Sequence, residues 1–354
     1  MAIYRDGTKR WRYRWQETQP DRSVLKLSGT PKVNTKLGAQ EAERKAVADA
    51  RQPKTSARPA APTLKDYAPT FMSTWAIRNK PSERAAKESV LRVHLLPALG
   101  DKLLDQITTL DVTELVAKLL GPDPAKPLRS AKRVNNILNV LSKLLREAQE
   151  AELIAVLPKL RTLKIGTTAF EFWTFEDFEK LLASSDAEPE WRAAILVAGE
   201  AGLRAGEVAA LRWEDVNPRS KVLTVSRTDW RGEVGTPKGA DIRHVPMTSR
   251  LAEALRSIRH LRGELVFCRQ DGSRLTTTNM RAALKRQEKR AGLPAGAKWH
   301  KLRHTFCSHL AMRGAPIVSI KELAGHKSVA VTNRYMHLAP GRTRSAIDLL
   351  EARG

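Results

Sequence analysis

The side chains best suited to chemistry gather toward the carboxyl end of the chain. Trp299 to Leu310 reads WHKLRHTFCSHL, LAGHKSVAVTNRYMHL begins at Leu323, and AGLRAGEVAALRWEDV begins upstream at Ala201. These stretches supply Arg204, Arg303, His300, His326 and Tyr335, side-chain types that can together surround one phosphate. Arg204 and Glu207 stand three apart at the start of an expected helix, so they share a face. An arginine there, beside Gly202, is placed to hold a phosphate oxygen; the plainer reading is a surface ion pair. His300 and Arg303 are likewise three apart and project the same way. His300 and His304 are four apart, which also fits metal binding. A zinc protease, however, needs glutamate after the first histidine of HExxH, and Lys301 stands there. Tyr335 lies nine residues after His326. A neutral phenol, with an ordinary pKa of about 10, is a poor nucleophile, but cations and a base around it can activate it. Lys238, in GTPKGADIRHVPM, falls at the tip of an expected hairpin, solvated or carried into a site as an acid. No GxxxxGK[ST] phosphate-binding loop is present.

Three regions would have to position these groups. Residues 1–52 begin with KRWRYRWQ (Lys9 to Gln16), whose period-two alternation predicts a strand with aromatics on one face and positive charge on the other. SVLKLS (Ser23 to Ser28) predicts a second strand and Ala39 to Arg51 a helix. Arg12 and Arg14 on the charged face are candidate DNA contacts; a solvated basic sheet is the alternative. Residues 53–62 (PKTSARPAAP) contain three prolines within ten residues and read as a linker. Residues 63–163 read as wholly helical: Thr63 to about Arg78, with Pro69 as a possible kink, then Ser82–Leu95, Thr109–Leu120 and Ser130–Glu150. The last carries an apolar stripe at spacings of three and four. Beside that stripe lie Lys132, Arg133, Asn135, Asn136 and Asn139, suited to phosphates and base edges or simply to solvent. Residues 168–354 predict helices at Thr174–Ser184, Trp191–Ala201, Ala205–Leu211, Ser249–Arg262, Thr277–Ala291, His300–Arg313, Ile317–Ala324 and Val329–Met336. Strand-like Lys221–Arg227 and Ile242–Pro246 flank a glycine-containing turn.

Composition narrows the partner. Sixty-two basic against 38 acidic residues leave a net charge of +24 over 354 residues, which points to a polyanion, nucleic acid first. Residues 1–61 alone carry a surplus of eight positive charges. The two cysteines, Cys268 and Cys307, are 39 apart and form no CxxC unit, so a reducing cytoplasm is expected. The longest apolar run, Ala193 to Gly199, is too short to span a bilayer, and no signal-peptide pattern opens the chain. No membrane partner is expected.

At GLRxGE (Gly202 to Glu207), the lysine eight residues before Pro246, HxLRHTF (His300 to Phe306) and LxGH…RY (Leu323 to Tyr335), the chain resembles the tyrosine recombinase family of the phage integrase type. Order and spacing agree at each of these motifs. The resemblance implies a multidomain, mainly α architecture. An amino-terminal arm-binding sheet with its helix would occupy 1–52 and a helical core-binding domain 63–163. An α+β catalytic domain, mostly helical with a small antiparallel sheet, would occupy 168–354. It implies that Arg204 and Arg303 clamp the scissile phosphate, that Tyr335 attacks phosphorus and joins the 3′ end, and that Lys238 protonates the departing 5′ oxygen. His300 would assist proton transfer at the tyrosine, His326 would hydrogen-bond the phosphate, and Glu207 would support an arginine. The phosphotyrosine bond would conserve the energy of the broken diester, so no cofactor and no metal is expected. Implied partners are double-stranded DNA attachment sites, three further copies of the chain in a homotetramer, and a host DNA-bending protein or excision factor. The setting would be a bacterial cytoplasm, at the nucleoid, with a phage or mobile element as the source. A type IB topoisomerase-like enzyme shares this chemistry, but a separate amino-terminal module favours site-specific recombination. A non-enzymatic basic DNA-binding protein would have no use for Tyr335.

Overall fold

The computed structural model describes residues 2–18, 24–51, 60–123, 126–166, 170–237, 242–296 and 298–339. It divides into two compact units, Met1–Asn79 with Glu83–Lys164, and Lys80–Ser82 with Ile165–Gly354. Most of the expected linker, and Lys238 among the expected site residues, lie outside the described residues.

The first unit opens with an antiparallel sheet ordered β1 (Ala2–Arg5), β2 (Trp11–Thr18), β3 (Val24–Gly29), followed by α1 (Lys36–Arg51). β1 was not foreseen, and β2 starts two residues later than expected. Asp6 explains the shift: its carboxylate accepts from the backbone N–H groups of Thr8 and Arg10 and folds the intervening residues into a turn. The alternation along β2 holds, with Trp11, Tyr13 and Trp15 turned inward and Arg12 and Arg14 exposed.

Helices follow: α2 (Leu64–Thr74), α3 (Pro81–Val90), a π turn at Leu91–Leu95 leading into α4 (Leu96–Leu99), then α5 (Thr109–Leu120) and α6 (Ala131–Glu150). α2 runs through Pro69 and stops four residues before Arg78, the chain going on as a 3-10 turn at Ala76–Arg78. Thr108 caps α5, its hydroxyl accepting from Asp111 N while the Asp111 carboxylate accepts from Thr108 N. The α6 stripe is buried from Val134 to Ala148 and centres this unit's core. Asn135 departs from the expected polar face. It is buried, its amide donating to Leu163 O at 2.9 Å and accepting from Leu163 N at 2.8 Å. It fastens the chain after α6 and is turned away from the exposed face of the helix.

The second unit is built around α8. Its elements are α7 (Phe175–Ala183), α8 (Pro189–Glu200), α9 (Ala205–Ala209), strands β4 (Val216–Asn217) and β5 (Val222–Val225), hairpin β6 (Thr228–Trp230) and β7 (Glu233–Gly235), β8 (Arg243–Pro246), then α10 (Ser249–Ser257), α11 (Thr277–Arg290), α12 (His300–Met312), α13 (Ile317–Ala324) and α14 (Val329–Asn333). Residues 193–199 of α8 are all buried, with α7, α9, α10 and α12 packed about them. β5 pairs with β8 antiparallel, Leu223 opposite Val245, as the strand-like stretches predict. The connection between them is more than a turn. β6 and β7 form a separate hairpin turning at Arg231–Gly232. α10 ends five residues early, where the His260 ring accepts from Arg262 N. Both cysteines are free and buried. No helix among the described residues is long and apolar enough to cross a membrane.

Candidate active site

Four segments of the second unit meet: the turn after α8, β8, the first two turns of α12, and the stretch from the end of α13 to Tyr335. Gly202 makes the first turn possible. Its φ is +68°, and a Cβ there would stand 2.5 Å from the Phe306 ring, so neither the backbone nor the space admits a side chain. The turn delivers Arg204 to the start of α9. Glu207, fully buried, accepts from the Arg204 backbone N (2.9 Å) and from Arg204 Nη1 (2.8 Å). The other Arg204 nitrogen, Nη2, donates to Gly325 O at 3.1 Å.

Glu207 also accepts from Arg243 on β8, at 3.2 Å from Nη1 and 2.6 Å from Nη2. Burial by itself would raise the Glu207 carboxyl. The hydrogen bonds and charge of Arg243, with those of Arg204, outweigh it and hold the group below its ordinary value. Arg243 Nε donates to Leu323 O at 3.0 Å, so one guanidinium ties β8 to the carboxylate and to the end of α13. Gly325 closes α13 in the left-handed region, φ +62°, and sets His326 beside it. His326 is 9% exposed and joined to the buried Thr332 hydroxyl at 2.9 Å.

Arg303 is 1% exposed. Its Nη1 donates to Gly202 O at 2.6 Å, while Nη2 is buried without a partner. Burial first, then the neighbouring Arg204, pushes its pKa down to about 10. A buried cation with an unused donor is costly in a folded chain; an anion against it removes that cost. Burial followed by Arg303 and Arg204 lowers His326 to about 3. His300 is lowered for the same reasons, although its exposed ring leaves water to temper the effect. These imidazoles are neutral near pH 7.

Tyr335 lies between α14 and a 3-10 turn at Met336–Leu338 rather than inside a helix reaching Met336. It is 3% exposed. Phe170 packs against its ring at 4.7 Å, and the His326 ring lies parallel to it at 6.1 Å. Its hydroxyl is 2.6 Å from His304 Nδ1. Burial, then Cys307, raises the phenol above its ordinary 10, against the pull of Arg303 and Arg334. A cleft of about 270 Å³ opens at Arg204 and His326, lined also by Arg243, Lys321, Glu322 and Lys327. Pro237, the last described residue before Lys238, also borders it.

The structure thus gathers Arg204, Glu207, His300, Arg303, His326 and Tyr335 in the second unit. The candidate DNA contacts Arg12, Arg14, Lys132, Arg133 and Asn136 belong to the first unit. Arg12 is paired with Asp6 at 2.7 Å, Arg14, Lys132 and Asn136 are exposed, and Arg133 is half-buried, 3.4 Å from His94 Nε2. Two residues of the site were not singled out as such from the sequence. Arg243 carried a signal: it occupies an inward position of β8, where alternation calls for an apolar residue. His304 was weighed only as a metal ligand; one turn from His300 on the same face, it reaches the tyrosine instead.

The family described as the phage integrase family matches residues 171–342, and the phage integrase N-terminal SAM-like domain matches residues 63–120. A tyrosine recombinase XerC-like protein of Caldanaerobacter subterraneus subsp. tengcongensis is 29% identical over 227 residues, which span 55% of this chain and 57% of that relative. The ICEBs1 integrase of Bacillus subtilis strain 168 is 24% identical over 306 residues, covering 79% of this chain and 80% of its own. Among solved structures, a lambda integrase tetramer bound to a Holliday junction superposes with a TM-score of 0.61 at 19% identity, over 92% of this chain and 95% of that one.

Proposed function

The chain belongs to the phage integrase family of tyrosine recombinases, and we propose that it is a site-specific DNA recombinase acting through a covalent 3′-phosphotyrosine. The observation that carries this reading is the Arg303 guanidinium, buried with an unused Nη2, in the same small site as Arg204, neutral His326 and Tyr335. It is a place prepared for one anionic group next to one nucleophile. Arg303 and Arg204 hold the non-bridging oxygens of the scissile phosphate and stabilise charge in the pentavalent transition state. His326 donates to the same phosphate, Tyr335 attacks phosphorus, and Lys238 protonates the 5′ oxygen. His300 lines the nucleophile's side of the site. Glu207 and Arg243 fix Arg204 and the His326 loop. Because the phosphotyrosine conserves the energy of the broken diester, the scheme uses neither ATP nor metal.

DNA is the partner we infer, engaged through attachment sites by a homotetramer at the bacterial nucleoid. In this scheme residues 63–163 grip the core site with Lys132, Arg133 and Asn136, and residues 1–52 reach flanking DNA with Arg12 and Arg14. A host bending protein or excision factor completes the assembly. We place the enzyme with integrases of phages or mobile elements. The ICEBs1 integrase aligns over 79% of this chain and the XerC-like protein over 55%; that second likeness favours the competing reading of a chromosomal recombinase. A two-site plasmid assay with the flanks of the encoding gene separates the two.

The central test uses a nicked duplex carrying a site that the full-length protein selects from a random pool. The parent is expected to accumulate a covalent adduct mapping to Tyr335, and Tyr335→Phe to bind this DNA without forming one. An adduct formed by the Phe variant would reject the nucleophile assignment.

A further inference from the structure

The contact between Tyr335 and His304 is used by none of the roles above. α12 carries His300, Arg303, His304 and Cys307 at spacings of three and four, and α13 with α14 returns the chain so that Tyr335 lands against that helix. The hydroxyl then lies 2.6 Å from His304 Nδ1. Phe170 covers both rings, its centroid 5.4 Å from His304 and 4.7 Å from Tyr335. His300 meets His304 ring to ring, edge-on at 4.5 Å.

The groups facing His304 are His300 and Arg303 on its own helix, Arg334 and Tyr335 after α14, and His326 and Cys307 around the phenol. None of these is a carboxylate. Burial, then His300, Arg334 and Arg303, lowers the imidazole to about 4, so it is neutral near pH 7; with its one proton on Nε2, its Nδ1 lone pair accepts from the phenol O–H. The hydrogen bond already runs along the path that the proton must take on attack.

We propose that His304 is the base that takes the Tyr335 proton in strand cleavage. This rests on Tyr335 being the nucleophile. In the step, the Oη–H bond breaks and its proton passes to His304 Nδ1 as the Oη–P bond forms. The P–O5′ bond breaks with its electron pair, and the 5′ oxygen takes a proton from the general acid. On rejoining, the 5′ hydroxyl attacks phosphorus and returns its proton to that acid, while the His304 imidazolium gives its proton back to the departing Oη. The phosphodiester supplies the negative charge that the free site lacks. It offsets Arg303 and Arg334 and makes His304 a stronger base in the complex than in the free protein.

Two variants separate a base from a positioning contact. His304→Asn puts an amide oxygen near the place of Nδ1; it can accept the phenol hydrogen bond but takes up no proton. His304→Ala removes the contact. Measured as covalent adduct on the selected nicked duplex, cleavage by both should fall about 10²–10⁴-fold, with gel-shift affinity and melting temperature near those of the parent. A 5′-bridging sulfur, which leaves without a proton, should not restore either variant. The parent's rate should fall at low pH with an inflection that His304→Asn lacks. Cleavage by His304→Asn within about threefold of the parent, or rescue of His304→Ala by sulfur, overturns the proposal and leaves Tyr335 as nucleophile. A parent that forms no adduct at all overturns the nucleophile reading as well.

Discussion

Replacing Glu207 by glutamine should weaken the second unit through two arginines at once. The carboxylate has no exposed side-chain surface. Oε1 accepts from Arg204 Nη1 and Arg243 Nη1, and Oε2 from Arg204 N and Arg243 Nη2. Glutamine keeps the volume but turns one of these oxygens into a donor. Whichever way the amide lies, two N–H groups then face another N–H, and the negative charge between two cations is gone. Breaking a buried ion pair from one side costs about 3–5 kcal/mol. At about 2–4 °C per kcal/mol for a unit of this length, the melting temperature should fall by roughly 6–20 °C near neutral pH. The loss has a pH signature. Glu207 is held below its ordinary value of 4.5 in the folded chain, so its stabilisation is complete above that value and drains away as pH falls through the lower folded one. The gap between parent and Glu207→Gln should therefore stay constant down to about pH 5 and close below it. Calorimetric melts of both proteins, near neutral pH and near pH 4, measure this. A variant melting within about 2 °C of the parent at neutral pH would refute the reasoning, since a buried carboxylate serving two guanidiniums cannot be that dispensable.

Three further outcomes follow from the same geometry. Arg303→Lys keeps the charge but loses the fork that reaches both Gly202 O and the vacant donor direction; adduct formation should drop about 10²–10³-fold while gel-shift affinity barely changes, and equal losses in the two assays would make Arg303 a docking contact only. Gly202→Ala must place a Cβ 2.5 Å from the Phe306 ring at φ +68°, an overpacking of about 1–3 kcal/mol before any backbone strain, so a melting temperature equal to the parent's would contradict the close approach. Deleting residues 1–52 should spare adduct formation on a minimal core duplex and reduce recombination of full attachment sites, because a tethered basic module raises effective concentration on flanking DNA; a truncated protein that is inactive on the core duplex would show the sheet to be structural.

What the sequence made legible, and what it hid, divides by the distance between partners. α5 and α13 were readable to the residue, because a cap, a periodic stripe and a terminating glycine are local signals. The nearness of Arg204 to Glu207, or of His300 to Arg303, was readable for the same reason: helical spacing fixes it. The β6–β7 hairpin was not, since Thr228–Gly235 is short and polar and turns at Gly232, φ +91°, without an apolar alternation to mark its strands. The larger surprises are buried polar side chains with remote partners. Asn135 meets the backbone 28 residues later, His304 meets Tyr335 across 31, and Arg243 meets Glu207 across 36. At the edge of an amphipathic stripe, a buried asparagine and a solvated one have the same position in the pattern; only the strand or loop folded over it tells them apart. The exposed polar face of α6 is therefore one residue smaller than the sequence suggests, Asn135 being buried, and the candidate site is larger by two, Arg243 and His304. In each case a polar group is satisfied by a tertiary contact, and it is these contacts that hold Arg204, the His326 loop and the Tyr335 hydroxyl where chemistry on a phosphate would need them.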